Sequence, residues 1–173
     1  GIEEYRIKEG TKVICYRAFK CKYTNTNGLK GIRIPLFHHE RGCGFQNLRS
    51  IVIPDSVTSI DDWTFADCHR LQSAVIGNSV KSIGQCAFRW CESLQSIIIP
   101  DSVSSIGKFA FSGCSSLESV VIPDSVTSIE DSAFSGCSSL QCVVIPDSVT
   151  SIGRFAFLGC SSLQRVVIGN SVK

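Results

Sequence analysis

LESVVIPDSVTSIEDSAFSGCSS, residues 117–139, is followed by LQCVVIPDSVTSIGRFAFLGCSS, residues 140–162, and the two agree at most positions. The same 23-residue phrase runs backward through Leu94–Ser116, Leu71–Ser93 and Leu48–Arg70 with no insertion. Forward, Leu163–Lys173 (LQRVVIGNSVK) is a further copy that stops halfway. Self-similarity at one short fixed period is the mark of a solenoid, in which a single coil cannot bury its own apolar face and the stack does.

Each coil decodes in one way. In the copy that starts at Leu117, the residues Leu117, Val120 and Ile122 stand at L-x-x-L-x-L spacing and form a short strand. Pro123 cannot donate to a ladder and closes it. Asp124-Ser125 makes a turn, and Val126 and Ile129 set a second extended stretch against the same core. Ala133, Phe134 and Cys137 then suit a helical turn with Phe134 as its plug, and Ser138-Ser139 leads to the next Leu. Stacked at about 4.8 Å, roughly seven such coils give a body on the order of 30 Å long. Equal positions become rows: Phe65, Phe88, Phe111, Phe134 and Phe157 inside, with Leu48 through Leu163 beside them.

The 173 residues fit one domain, and 43% hydrophobic with 18% charged residues argues for a packed core over disorder. No apolar run is long enough for a transmembrane helix, and no signal peptide is visible. A chain with no Met that begins at Gly1 and stops mid-repeat reads as a piece of a longer protein. The chain divides into 1–47, divergent N-terminal repeats or cap, and 48–173, regular repeats with the last truncated. Residues 1–22 are a worn copy, Ile7, Ile14, Ala18 and Phe19 aligning with Ile53, Ile60, Thr64 and Phe65. Residues 23–28 are a polar loop, and residues 29–47 an irregular coil four residues short. Nine Lys/Arg against four Asp/Glu make residues 1–47 net +5, and eight against eleven make the rest −3. With no basic run, nucleic-acid binding is not supported.

The phrase I-P-D-S-V-T-S-I-G-x-x-A-F-x-G-C-S-S-L, clearest at Ile145–Leu163, resembles the BspA-type leucine-rich repeat. The resemblance implies an α/β solenoid: a leucine-rich-repeat right-handed superhelix with short parallel strands and short helical turns per coil. It also implies a cell-surface or secreted adhesin or receptor-like protein engaged in host–microbe interaction. Gly77-Asn78 and Gly169-Asn170 depart from the Pro-Asp of the pattern.

Five of the ten cysteines, Cys68, Cys91, Cys114, Cys137 and Cys160, recur at the repeat period. A column of equivalents has no natural pairing, so they are expected as reduced, packed thiols. Cys15 with Cys21 and Cys86 with Cys91 are neighbours in sequence, but nothing supports a bridge. His38-His39-Glu40 with Cys43 lacks the helix that a two-on-one-face zinc motif needs and reads as a loop. Asp55, Asp101, Asp124 and Asp147 form a column that turn chemistry alone explains, without calcium. No nucleophile–base–orienter set and no phosphate loop stand out, so no enzyme, metal or cofactor is expected.

The feature that points to binding is the outward side of the strands. Val52, Val75, Ile98, Val121, Val144 and Val167 make an apolar stripe, bordered by Arg49, Gln72, Gln95, Glu118, Gln141 and Gln164 and by a row of mostly serines. A contiguous exposed apolar stripe tends to mark a binding surface, and solenoids bind on that side. Trp63, Trp90, Phe109 and Phe155 form a second aromatic patch on the turns. The expected function is a non-enzymatic module gripping a protein partner, such as a host matrix or cell-surface protein, across the strand face. The alternative is a spacer or stalk, or an intracellular interaction scaffold, with the ligand site elsewhere. End-to-end self-association through an open coil edge is also expected.

Overall fold

A computed structural model describes residues 4–11, 13–14 and 47–173. Two parallel sheets run along the stack. The first holds seven strands: β1 (Glu4–Arg6), β3 (Ser50–Val52), β5 (Ser73–Val75), β7 (Ser96–Ile98), β9 (Ser119–Val121), β11 (Cys142–Ile145) and β13 (Arg165–Ile168). The second holds six two-residue strands: β2 (Val13–Ile14), β4 (Ser59–Ile60), β6 (Ser82–Ile83), β8 (Ser105–Ile106), β10 (Ser128–Ile129) and β12 (Ser151–Ile152). From β3 onward, neighbours in either sheet are related by one repeat, as in Ile97↔Val120 and Ile106↔Ile129.

The strands are short because a turn follows at the same place in every coil. The Pro123 carbonyl accepts from Val126 N–H at 3.0 Å, and Gly77 does the same for Val80 at 3.3 Å, so the turn survives where Pro is missing. Alternation then sends Ile97 and Val120 inward, nearly fully buried, and their neighbours Ile98 and Val121 outward.

Between the sheets and the turns lies one continuous core. The Phe rings stack coil on coil, with centroids 5.0, 5.4, 5.2 and 5.4 Å apart from Phe65 to Phe157. That spacing is close to the inter-strand distance, as in-register stacking requires. Thr64 replaces the small Ala of the other coils and stays buried because its hydroxyl donates to Asp61 O at 2.7 Å.

The third side corrects the expectation of short helical turns. Among the described residues there is no helix; the stretch is a chain of turns. An α-helix needs each N–H to reach back four residues. Here alternate N–H groups cross to the next coil instead: Phe88 to Ala110 O at 2.7 Å, Trp90 to Ser112 O at 2.8 Å, Phe111 to Ala133 O at 2.8 Å. Left-handed backbone at Trp63, Cys86, Phe109, Ser132 and Phe155 (φ +55° to +60°) opens each of these stretches and breaks right-handed winding.

At the N-terminal end, β1 pairs directly with β3 and β2 with β4, Ile14 opposite Ile60. The alignment of Ile7 with Ile53 is seen in the ladder, where Ile7 N–H donates to Val52 O at 3.0 Å. Ala18, Phe19, Cys15, Cys21, the loop at 23–28, the contracted coil and His38-His39-Glu40 with Cys43 lie outside the described residues. At the other end β13 pairs with β11, and Val166 and Ile168 are exposed where Val143 and Ile145 are buried.

Candidate functional site

The strand face carries the stripe read from the sequence. Val52, Val75, Ile98, Val121, Val144 and Val167 are paired in one unbroken register across β3 to β13. Ile98 and Val121, at its centre, are 79% and 72% exposed, and Val52 at one end is half-buried. Gln72, Gln95, Glu118 and Gln141 are exposed beside it, with Arg49 and Gln164 at the two ends of their row. A regular parallel sheet does this unaided, since one residue in two must leave the core and the repeat puts the same one out each time. The surface has few charges at its middle, Glu118 being the exception among neutral amides and serines. It can therefore meet an apolar partner surface without stripping ions of water.

The column of aspartates faces a different task. Asn78 N–H donates to Asp55 Oδ1 and Asn170 N–H to Asp147 Oδ1, both at 2.7 Å. A Cβ on Gly77 or Gly169 would strike the coil below. The Gly-Asn departures thus let an N–H settle on the preceding Asp, a role that sequence reading missed. Asp62 and Asp131 repeat the device with Gln85 and Arg154 one coil on. Asp131 also takes Lys108 Nζ at 3.2 Å, and that contact, with the Arg154 N–H, holds its carboxyl below the usual range. A groove of about 280 Å³ is lined by Ile60, Asp61, Asp62, Ser82 and Gly84. Among the described residues no three His, Cys, Asp or Glu side chains gather to hold a metal.

The periodic cysteines are free thiols, as expected, and their role is more specific than filling space. Cys91, Cys114, Cys137 and Cys160 each direct Sγ at the Phe carbonyl of the coil before, at 3.2–3.3 Å. Burial drives the Cys114 thiol up to about 12 and raises Cys91 and Cys137 as well. Cys86 and Cys91 are not bridged.

On the turn face, Trp63, Trp90 and Phe109 gather around Arg89, whose guanidinium lies 5.6, 4.0 and 5.3 Å from their ring centroids. Phe155 is exposed and takes no part. Arg89 went unnoticed in the sequence because it stands at a variable position and its meaning depends on neighbours one coil away.

Among proteins of known structure, a leucine-rich cell surface protein from Faecalibacterium prausnitzii A2-165 is similar at 38% identity, with a TM-score of 0.67 over 69% of this chain and 32% of that one. The Treponema pallidum leucine-rich repeat protein is similar at 36% identity, with a TM-score of 0.67 over 68% of this chain and 57% of that one. The pneumococcal vaccine antigen PcpA shares the fold, with a TM-score of 0.70 at 24% identity over 92% of this chain and 36% of that one. The chain thus spans between about a third and somewhat over half of the length of these relatives. No curated protein sequence matches it. Six copies of the BspA-type leucine-rich repeat region match residues 40–164, and the chain belongs to that family.

Proposed function

We propose that this chain is a non-enzymatic, protein-binding module of a cell-surface adhesin or receptor-like protein, and that it grips its partner across the strand face. The observation that carries the reading is the unbroken row from Val75 to Val144, with Ile98 and Val121 most exposed, on a sheet whose other side is fully committed to the core. A soluble monomer seldom leaves so long a contiguous apolar strip to water. The surface setting draws support from the Faecalibacterium relative, described as a cell surface protein. End-to-end association between copies of the chain belongs to the same proposal, and concentration-dependent sedimentation tests it.

Binding to a panel of immobilised host matrix and epithelial surface proteins tests the central part. The wild-type chain is expected to bind at least one, and Ile98→Lys and Val121→Lys to abolish that binding while keeping the native circular dichroism spectrum. Unchanged binding by the folded variants removes the strand face from consideration. A wild-type chain that binds nothing favours a spacer whose ligand site lies elsewhere.

A further inference from the structure

The turn face holds a cation built into an aromatic box. Trp63, Cys86 and Phe109 occupy one column on three successive coils. The small Cys86 leaves a gap between the two large rings, about two coil spacings or ~9.6 Å wide. Into that gap the Arg89 guanidinium fits, 5.6 Å from the Trp63 ring and 5.3 Å from the Phe109 ring. Trp90 closes the box at 4.0 Å and rests on Gly113, where a Cβ would run into its Cδ1. Each ring lies within the range where a cation is attracted by the π-face.

The box holds the charge but gives it no counter-ion. Among the described residues no carboxylate pairs with Arg89, and its Nε is buried without a hydrogen-bond partner. The Cys86 thiol lies beside it; burial raises that thiol, and a side-chain hydrogen bond with Arg89 works against the rise and engages one side of the guanidinium. A half-buried guanidinium held in one pose by three rings has already lost the rotamer freedom that ligand binding would otherwise remove. A planar carboxylate is its natural complement, because two oxygens meet two parallel N–H groups.

We propose that Arg89 is a carboxylate-binding site, boxed by Trp63, Trp90 and Phe109, that takes a single acidic side chain of a peptide partner. The neighbourhood selects against a polyanion such as a sulfated saccharide. Asp62, Asp67 and Glu92 lie close to it in the sequence of the same coils, and Lys108, the next cation along, is tied to Asp131 at 3.2 Å. One cation among acids fits one carboxylate whose flanking residues are neutral or basic. This site is on a different face from the strand stripe and stands or falls separately.

The chain has two tryptophans, Trp63 and Trp90, so two indole N–H signals report on the box. Titrating the whole chain with acetyl-Gly-Glu-Gly-amide is expected to shift an indole signal saturably, and acetyl-Gly-Gln-Gly-amide to leave it in place. Arg89→Gln is expected to remove the shift while the amide spectrum stays native. Arg89→Lys keeps the charge without the fork, is expected to weaken binding severalfold, and serves if Arg89→Gln does not fold. No saturable shift with the Glu peptide, or an equal shift in a folded Arg89 variant, overturns the site. A heparin-derived tetrasaccharide that binds more tightly than the Glu peptide overturns the acidic-peptide assignment.

Discussion

Gly113 and Gly136 hold the same place one coil apart, with φ of +78° and +76°. An alanine in that left-handed region costs about 1–2 kcal/mol at either position. At Gly113 the new methyl also meets Trp90, whereas at Gly136 it finds ordinary contact with the Gly113 backbone at 3.5 Å. Gly113→Ala is therefore expected to destabilise more than Gly136→Ala, by about 1–3 kcal/mol of overpacking, in urea unfolding; equal losses would show that Trp90 does not rest there. The thiols make a second prediction at this scale. Their folded pKa values lie above the unfolded value, so the native state keeps protons that the unfolded chain sheds. The stability this contributes is complete below about pH 9 and declines as pH rises toward the folded values, by about 1.4 kcal/mol per pH unit for each thiol still protonated. Urea midpoints measured from pH 8 to 11 should fall, and Cys114→Ala should flatten the fall. Peptide mapping after alkylation of the native protein should find half-buried Cys142 labelled and Cys91, Cys114 and Cys137 spared.

Each coil as an element adds what single residues do not show. The strand–turn–strand part was legible because the buried Leu117, Val120 and Ile122 are interleaved with the outward Glu118, Ser119 and Val121 and the turn residues name themselves. The third side was not. Ala133, Phe134 and Cys137 have helix-compatible spacing, but their backbone chooses partners across coils, as where Phe134 N–H meets Ala156 O at 2.8 Å. Spacing within one coil cannot report a bond made to the next. Gly77-Asn78 likewise shows in the sequence only as a departure from Pro-Asp, although it seats an N–H on Asp55. This gives a paired prediction: Asp55→Ala loses a charge-assisted bond and is expected to cost about 1–2 kcal/mol. Asp124→Ala lies under a coil that keeps Pro146-Asp147 and should change stability by no more than about 0.5 kcal/mol. Equal effects in chemical denaturation would contradict the interlock.

For the whole molecule, stability is the sum of coil interfaces, and the Phe column from Phe65 to Phe157 runs through four of them. Phe111→Ala leaves a void between two stacked rings and is expected to cost about 3–5 kcal/mol, while Ile98→Lys on the exposed row should leave the unfolding midpoint nearly unchanged. The stripe was legible because a fixed period turns letters into rows. The aromatic box was only half legible: Trp63, Trp90 and Phe109 were visible as a patch, but the cation they enclose was not, since a guanidinium's partners are set by stacking. Every row and surface here rests on coils piled in register. Methyl–methyl NOE spectroscopy on isoleucine- and valine-labelled protein tests that most directly. Contacts between Ile97 and Val120 inside, and between Val75, Ile98, Val121 and Val144 outside, each to the residue 23 positions away, are the predicted result. Cross-peaks that link Ile98 to Val120 instead, or that skip a coil, would contradict it.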